Sequence, residues 1–287
     1  MTPEQYCQQK AARSGSSFYY SFLFLPSKQR RAITALYAFC REVDDVVDEH
    51  LDEQVARAKL AWWREEIAKL FAGKPQHPVS KALTKAIEDF NLPQEYFLEV
   101  IDGMEMDLDY STYESFRDLT LYCHRVASTV GIMAAEIFGY QDRRTLKYAH
   151  HLGMAFQLTN ILRDVREDSL RGRIYLPQDE LRRFELSNED LMNFRTNDRI
   201  RQLFEFQTQR ARDYYHQAFA ALPAVDRFAQ RSGLIMAAIY QRTLNEIAGD
   251  GYQVLEHRIS LTPVHKLWLA WRTNRREKKR YRRLARA

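Results

Sequence analysis

Apolar side chains recur at three- and four-residue spacing through stretch after stretch of this chain, while alternating runs of strand type are hard to find. Glycine (10) and proline (8) are too scarce over 287 residues to punctuate a sheet protein, so the periodicity dictates a nearly all-helical chain. Helices are predicted at about 2–13, 28–50, 53–72, 79–91, 94–110, 114–139, 143–168, 198–221, 228–249 and 263–283. Breaks fall at "SGSS" (14–17), Pro26, "GKPQHP" (73–78), "FGYQD" (138–142), "RGRIYLP" (171–177) and "GDGY" (249–252). Neither a long Gly/Ser/Pro linker nor an internal repeat divides the chain. The expectation is one helical domain over 1–262, followed by a basic amphipathic C-terminal helix or tail over 263–287.

Two of these helices break the apolar pattern in the same way. In "REVDDVVDEH" (41–50), Asp44 and Asp48 sit one turn apart on one face, and Arg41 and Tyr37 continue that stripe toward the N-terminus. In "NILRDVRED" (160–168), Asn160, Asp164 and Asp168 follow at i, i+4, i+8, with Gln157 one turn earlier. Carboxylates at that spacing repel by a few tenths of a kcal/mol in water and by far more when half-buried. A solvated face with ion pairs to Arg41 and Arg163 would relieve this, and so would hard divalent cations. Two such stripes inside helices otherwise as apolar as "ALYAFC" and "GMAFQLTNIL" are hard to explain as surface. Facing each other, they could hold a small Mg²⁺ cluster, which takes oxygen ligands and leaves positions for substrate phosphates. Such a cluster could bind a diphosphate and drive ionisation of its C–O bond.

Charge and cysteine usage narrow the remaining classes. The formal net charge of +5 is concentrated in 272–287, where nine Lys/Arg face one Glu277 for a local +8, leaving about −3 elsewhere. The body therefore has no electrostatic reason to bind nucleic acid. The tail, "KLWLAWRTNRREKKRYRRLARA", suits an interfacial helix on an anionic membrane, with a nucleic-acid arm or a solvated tail as competing readings. No apolar run spans a bilayer and "MTPEQYCQQKAARSGSS" has no signal-peptide core, so a cytoplasmic protein is expected, with peripheral contact to the inner face of the membrane through the tail. Cys7, Cys40 and Cys123 lack metal-ligand spacing and read as reduced thiols. GxGxxG is missing, which excludes a Rossmann dinucleotide site.

"SGSSFYYSFLFLP", "YAFCREVDDVVDE", "LYCHRVASTVG" and "GMAFQLTNILRDVREDSLRGRIYLP", in that order, resemble the squalene/phytoene synthase family of head-to-head prenyl transferases over roughly residues 5–260. The wording is most similar to bacterial presqualene diphosphate synthases of the hopanoid route. The resemblance implies an all-α, single-domain class I terpenoid synthase bundle around a central apolar cavity. It implies two or three Mg²⁺ ions bound by Asp44, Asp48, Asn160, Asp164 and Asp168, and a diphosphate-contacting loop at Ser14, Gly15, Ser16 and Ser17. Tyr37, Arg41, Gln157, Arg163, Tyr240 and Arg258 match substrate-contacting positions, and Tyr122 a tyrosine that handles a proton. The implied reaction condenses two farnesyl diphosphates to presqualene diphosphate, with dehydrosqualene, squalene or phytoene synthase and a non-catalytic prenyl-diphosphate binder as alternatives. NADPH is not expected for that step; farnesyl diphosphate and other enzymes of the squalene/hopanoid pathway are the expected partners.

Read from chemistry alone, Arg41 suits a phosphate, whose oxygens fit its planar fork. By default Tyr122 is a core tyrosine with one hydrogen bond. His124, His150 and His151 read as packing or capping residues. The small residues Ala127, Ser128, Gly131, Ala134 and Ala135 fit both close helix packing and a hydrocarbon channel. Arg171 and Arg173 belong to a lid over diphosphate or to a plain connection; Asp102 and Asp107 in "IDGMEMDLD" also recur in the family that the chain resembles, which implies a structural role or support of the metal-binding side chains.

Overall fold

The computed structural model describes residues 1–13, 17–49, 52–284 and 286. Its helices are Pro3–Arg13 (α1), Ser17–Phe22 (α2), Ser27–Glu49 (α3), Glu53–Phe71 (α4), Pro78–Phe90 (α5), Gln94–Asp109 (α6), Phe116–Cys123 (α7), Thr129–Phe138 (α8), Arg144–Leu170 (α9), Gln178–Arg183 (α10), Asn188–Met192 (α11), Asp198–Ala221 (α12), Arg231–Gly249 (α13) and Pro263–Leu284 (α14). Among the described residues there is no strand, only an isolated bridge between Thr112 and Ile174. No helix there is long and apolar enough to cross a membrane. The long helices follow the periodicity. The predicted helix over 114–139 is instead α7 and α8 joined by a π-helical turn, His124–Ser128. Three short helices, α2, α10 and α11, fall where the sequence offered no full amphipathic stripe, since five or six residues are too few to show one.

Helix starts are set by local chemistry. Asp52 accepts from the backbone N–H groups of Gln54 and Val55 at 2.8 and 3.3 Å to open α4, and a reciprocal Ser115/Asp118 capping box opens α7. The central helix α9 lacks a cap from its own N-cap residue, Arg143. Buried Asp226 substitutes from across the chain, accepting from Gln141 N, Asp142 N and Thr145 Oγ1 at 2.7, 3.0 and 2.7 Å.

The apolar core is divided into two clusters. Leu36, Phe39, Leu60, Phe97 and Ile101 centre one, formed by α1 and α3–α6 with the inner side of α8; Tyr148, Leu152, Phe204, Tyr215 and Ile235 centre the other, around α9, α12 and α13. Each fully buried Leu or Phe contributes roughly 1.5–3 kcal/mol. Between the clusters lies a cavity, so α3 and α9 each have one face on core and one on open space. Close packing holds α9 in register there: a Cβ on Gly153 would lie 2.6 Å from Ser128 Cα and 2.7 Å from Ala127 O. Ala127, Val130, Gly131 and Ala134 also line the cavity, so packing and channel are two sides of one small-residue stripe. Helix α14 lies along α13, burying Ala270, Thr273 and Glu277, with Phe228 and Tyr281 stacked at 4.7 Å.

Candidate active site

Two chambers meet between α3 and α9. The inner one, about 240 Å³, is walled by Phe22, Ile33, Leu36, Val100, Met104, Val130, Phe138, Tyr148, Leu152, Phe156 and Met236. The outer one, about 730 Å³, is ionic: Asp44, Asp48, Asp107, Asp164, Glu167 and Asp168 face Arg41, Arg163, Arg171, Arg173, Arg258 and Lys266. Phe18, Tyr37, Arg41, Asp44, Tyr122, Gln157 and Asn160 belong to both walls. The stripes explain the layout. On α9 the cavity side reads Ala149, Gly153, Phe156, Asn160, Asp164, Asp168, apolar at the N-terminal end and ionic at the C-terminal end, and α3 repeats this from Ile33 to Asp48. Both helices thus bring their carbonyl ends, which favour cations, to the ionic chamber.

Arginines neutralise the carboxylates. Arg41 bridges Asp44 (2.5 Å) and Asp45, and Lys10 also reaches Asp45 at 2.8 Å. Asp48 pairs with Arg173 at 2.9 Å and Arg171 at 3.2 Å. Asp164 takes Arg163, through Nε at 2.8 Å and a second contact, and Arg258 at 3.1 Å. Burial pushes Asp44 up to about 6, against the pull of Arg41 and helped by Asp48 and Asp45. Asp168 rises to about 8 by burial and the neighbouring Asp164 and Asp107.

A tyrosine cluster stands at the junction. Asp107, its side chain 3% exposed, accepts from Tyr175 OH at 2.7 Å and from Tyr122 OH at 3.2 Å; Arg173 lies 4.0 Å away. The Tyr122 and Tyr175 rings stack at 5.0 Å. Burial raises Asp107 to about 7 despite Arg173 and the two hydroxyl donors. Burial and the Asp107 charge push both tyrosine hydroxyls well above their ordinary value, keeping them protonated.

The described residues matched by the resemblance, Ser17, Tyr37, Arg41, Asp44, Asp48, Tyr122, Gln157, Asn160, Arg163, Asp164, Asp168, Tyr240 and Arg258, all line the ionic chamber. Ser14, Gly15 and Ser16 lie outside the described residues. Asp102 is not in either wall; it pairs with Arg64 at 2.6 Å. Sequence reasoning missed Tyr175, Glu167, Phe156 and Lys266. A signal existed for the first: in "RGRIYLP" the residues Arg171, Arg173 and Tyr175 alternate to the chamber, while Ile174 and Leu176 alternate to the core. Gly172, at φ 78°, turns the chain out of α9, and Ile174 N donates to Ser111 O at 2.8 Å, pinning the segment across the ionic chamber.

Among the described residues no three His, Cys, Asp or Glu side chains converge closely enough to hold a metal ion unaided. The donor set nonetheless suits Mg²⁺, which binds through one or two carboxylates plus phosphate oxygens and water. Asn160 Oδ1 and Glu167 Oε2 are buried in this wall without a hydrogen-bond partner, as donors awaiting a cation would be.

A family model described as squalene/phytoene synthase matches residues 11–265. The 15-cis-phytoene synthase of Synechococcus elongatus (strain ATCC 33912 / PCC 7942 / FACHB-805) is 37% identical over 273 residues, 91% of this chain and 89% of that protein. That of Synechocystis sp. (strain ATCC 27184 / PCC 6803 / Kazusa) is 38% identical over 280 residues, 92% and 83%. Among solved structures, a dehydrosqualene synthase in complex with ligand superposes with a TM-score of 0.88 at 28% identity, covering 96% of this chain and 97% of that one. The squalene synthase HpnC from Alicyclobacillus acidocaldarius gives 0.78 at 30% identity, covering 87% and 94%. The all-α architecture is therefore that of the terpenoid synthase fold.

Proposed function

The chain belongs to the squalene/phytoene synthase family of prenyltransferase-type enzymes, and from that premise we propose that it joins two farnesyl diphosphates head to head into presqualene diphosphate. The observation that carries this reading is the junction of the two chambers, where Arg41, Asp44, Tyr122, Gln157 and Asn160 belong both to an ionic wall and to an apolar one. A diphosphate fits the first and a hydrocarbon chain the second, which puts the C–O bond between them.

In this reading Arg163 and Arg258, now on Asp164, and Arg171 and Arg173, now on Asp48, exchange carboxylate for phosphate oxygens as substrate enters. Asp44, Asp48, Asn160, Asp164 and Asp168 would hold Mg²⁺, whose Lewis acidity stabilises a departing diphosphate. The apolar wall keeps water from the allylic cation. The C2=C3 bond of the second farnesyl group attacks C1, and loss of a proton closes the cyclopropane. Tyr122 is suited to take that proton on its hydroxyl oxygen while passing its own to Asp107. No reductant enters this step.

The inner chamber is long enough for a fifteen-carbon chain. From Asp44 to Ile33 along α3 and from Asn160 to Tyr148 along α9, the inner chamber runs about 16–18 Å at 1.5 Å per residue. At about 1.2 Å per bond of extended chain, a farnesyl main chain of about 13 Å fits inside that length and a geranylgeranyl chain of about 18 Å matches its upper end, so depth by itself does not set the chain length. The relatives named phytoene synthase, at 37% and 38% identity, favour the second reading, condensation of two C20 substrates. Purified protein incubated with labelled farnesyl or geranylgeranyl diphosphate, with and without Mg²⁺ and NADPH, separates them. Presqualene diphosphate from the C15 substrate is expected; phytoene from the C20 substrate, or squalene formed by this protein alone, would overturn the proposal.

A further inference from the structure

Helix α14 has one side that neither the core nor the active site uses. Ala270, Thr273 and Glu277 seat it on α13. At 100° per residue the opposite side carries Val264, Leu267, Trp268 and Trp271 within an arc of about 100°, and Arg275, Lys278 and Arg282 continue the same side toward the C-terminus. All four apolar residues are exposed, Val264 at 76% and the two tryptophans at 46% and 49%. Arg272 lies over the Trp268 ring at 5.0 Å and Arg275 over that of Trp271 at 5.3 Å. The nine basic residues of 272–287 have one acidic companion, Glu277, and it is buried and held by Arg227 at 3.2 Å, so the outward side presents positive charge alone. At its N-terminal end, α14 contributes Lys266 to the ionic chamber, next in sequence to Leu267.

We propose that this side of α14 docks on an anionic phospholipid bilayer. Val264, Leu267, Trp268 and Trp271 would enter the headgroup boundary, and Arg275, Lys278 and Arg282 would meet lipid phosphates. An apolar half followed by a cationic half is the pattern a bilayer surface recognises; a nucleic-acid backbone would use the cations and leave Val264 and Leu267 without a partner. Because the α13 contacts fix the helix, docking sets the orientation of the whole molecule on the lipid surface. The surface stands independently of which prenyl chain the enzyme takes.

The test is flotation of the full chain with phosphatidylcholine vesicles, with and without about a third phosphatidylglycerol, at physiological salt. Binding to the anionic vesicles and little to the neutral ones is expected. The variants W268S/W271S and R275E/K278E/R282E should each lower partitioning about tenfold or more. Their far-ultraviolet circular dichroism and their turnover of detergent-dispersed substrate should be unchanged. The wild-type tryptophan emission should shift to the blue on anionic vesicles, a reading that needs no variant to fold. Equal recovery with both vesicle types, an unshifted emission, or full displacement of the vesicles by duplex DNA at equal phosphate concentration would overturn the proposal.

Discussion

Replacing Asp107 by Asn should trade activity for stability in a pH-dependent way. The carboxyl group is raised from 3.8 to about 7, with burial the largest cause. A carboxyl whose folded pKa is raised holds its proton more tightly when folded, so its contribution to stability is full below the unfolded pKa and is lost as pH rises through about 7. At 1.36 kcal/mol per unit, the cost of this group relative to a neutral one rises by about 3 kcal/mol between pH 5 and pH 8.5. Asn carries no such term. Asp107→Asn should therefore gain about 3 kcal/mol on the wild type between pH 5 and pH 8.5, whatever constant offset the lost acceptor for Tyr122 or Tyr175 introduces. At about 2 °C per kcal/mol for a chain of this length, the difference in Tm, variant minus wild type, should rise by about 6 °C across that range in EDTA. The Asp107 charge also raises Asp168, so its removal eases ionisation of Asp168 and adds to the gain at high pH, while carboxyls remote from Asp107 titrate in both proteins and cancel. Turnover should fall, because Tyr122 loses the carboxylate that orients its hydroxyl and that, in the proposed reaction, receives its proton. A Tm difference that stays flat with pH would refute the account of Asp107 as a buried carboxyl held against its charge.

The acidic stripes themselves should be indispensable: Asp44→Asn and Asp164→Asn are each expected to lower kcat about a hundredfold or more, with helix content unchanged by circular dichroism, and near-normal product formation would remove them from the machinery. Without Mg²⁺, Asp44 at about 6 and Asp168 at about 8 make the protein less stable as pH rises, and the cation needs these groups ionised. Addition of Mg²⁺ with inorganic diphosphate should accordingly raise Tm strongly at pH 8 and weakly at pH 5.5, as scanning fluorimetry would record; the reverse order would contradict this. Gly153→Ala places a Cβ against the Ser128 and Ala127 backbone, which cannot swing aside, so a loss of about 1–3 kcal/mol is expected in urea unfolding. An unchanged midpoint would mean the two helices are not held at that crossing.

The helices and the sidedness of the two acidic ones were legible because both are local. Asp44 and Asp48, or Asn160, Asp164 and Asp168, share a face by virtue of the 3.6-residue turn alone, and the apolar residues flanking them imply that the face is not simply solvent. Arg171 and Arg173 were readable as a basic run but not as partners of Asp48, since an extended segment can face either way until something pins it, here the backbone of Ser111 and Tyr113. Asp107 looked like ordinary support. Nothing in "MEMDLD" distinguishes it from Asp109, which sits at the surface with Arg57.

By itself, then, the amino-acid order determined an all-helical chain, two helices with oxygen-bearing stripes, a membership that four motifs in sequence reveal, and a cationic end. Tertiary structure decided which groups meet: Tyr175 with Asp107 across 68 residues, Arg173 with Asp48 across 125, and Asp226 with the start of α9 across 81–85. The physical reason is range. Backbone periodicity acts over one or two turns and repeats down the chain, whereas a buried carboxyl finds its partners through packing of helices far apart in sequence, and its proton affinity exists only once that packing has excluded water.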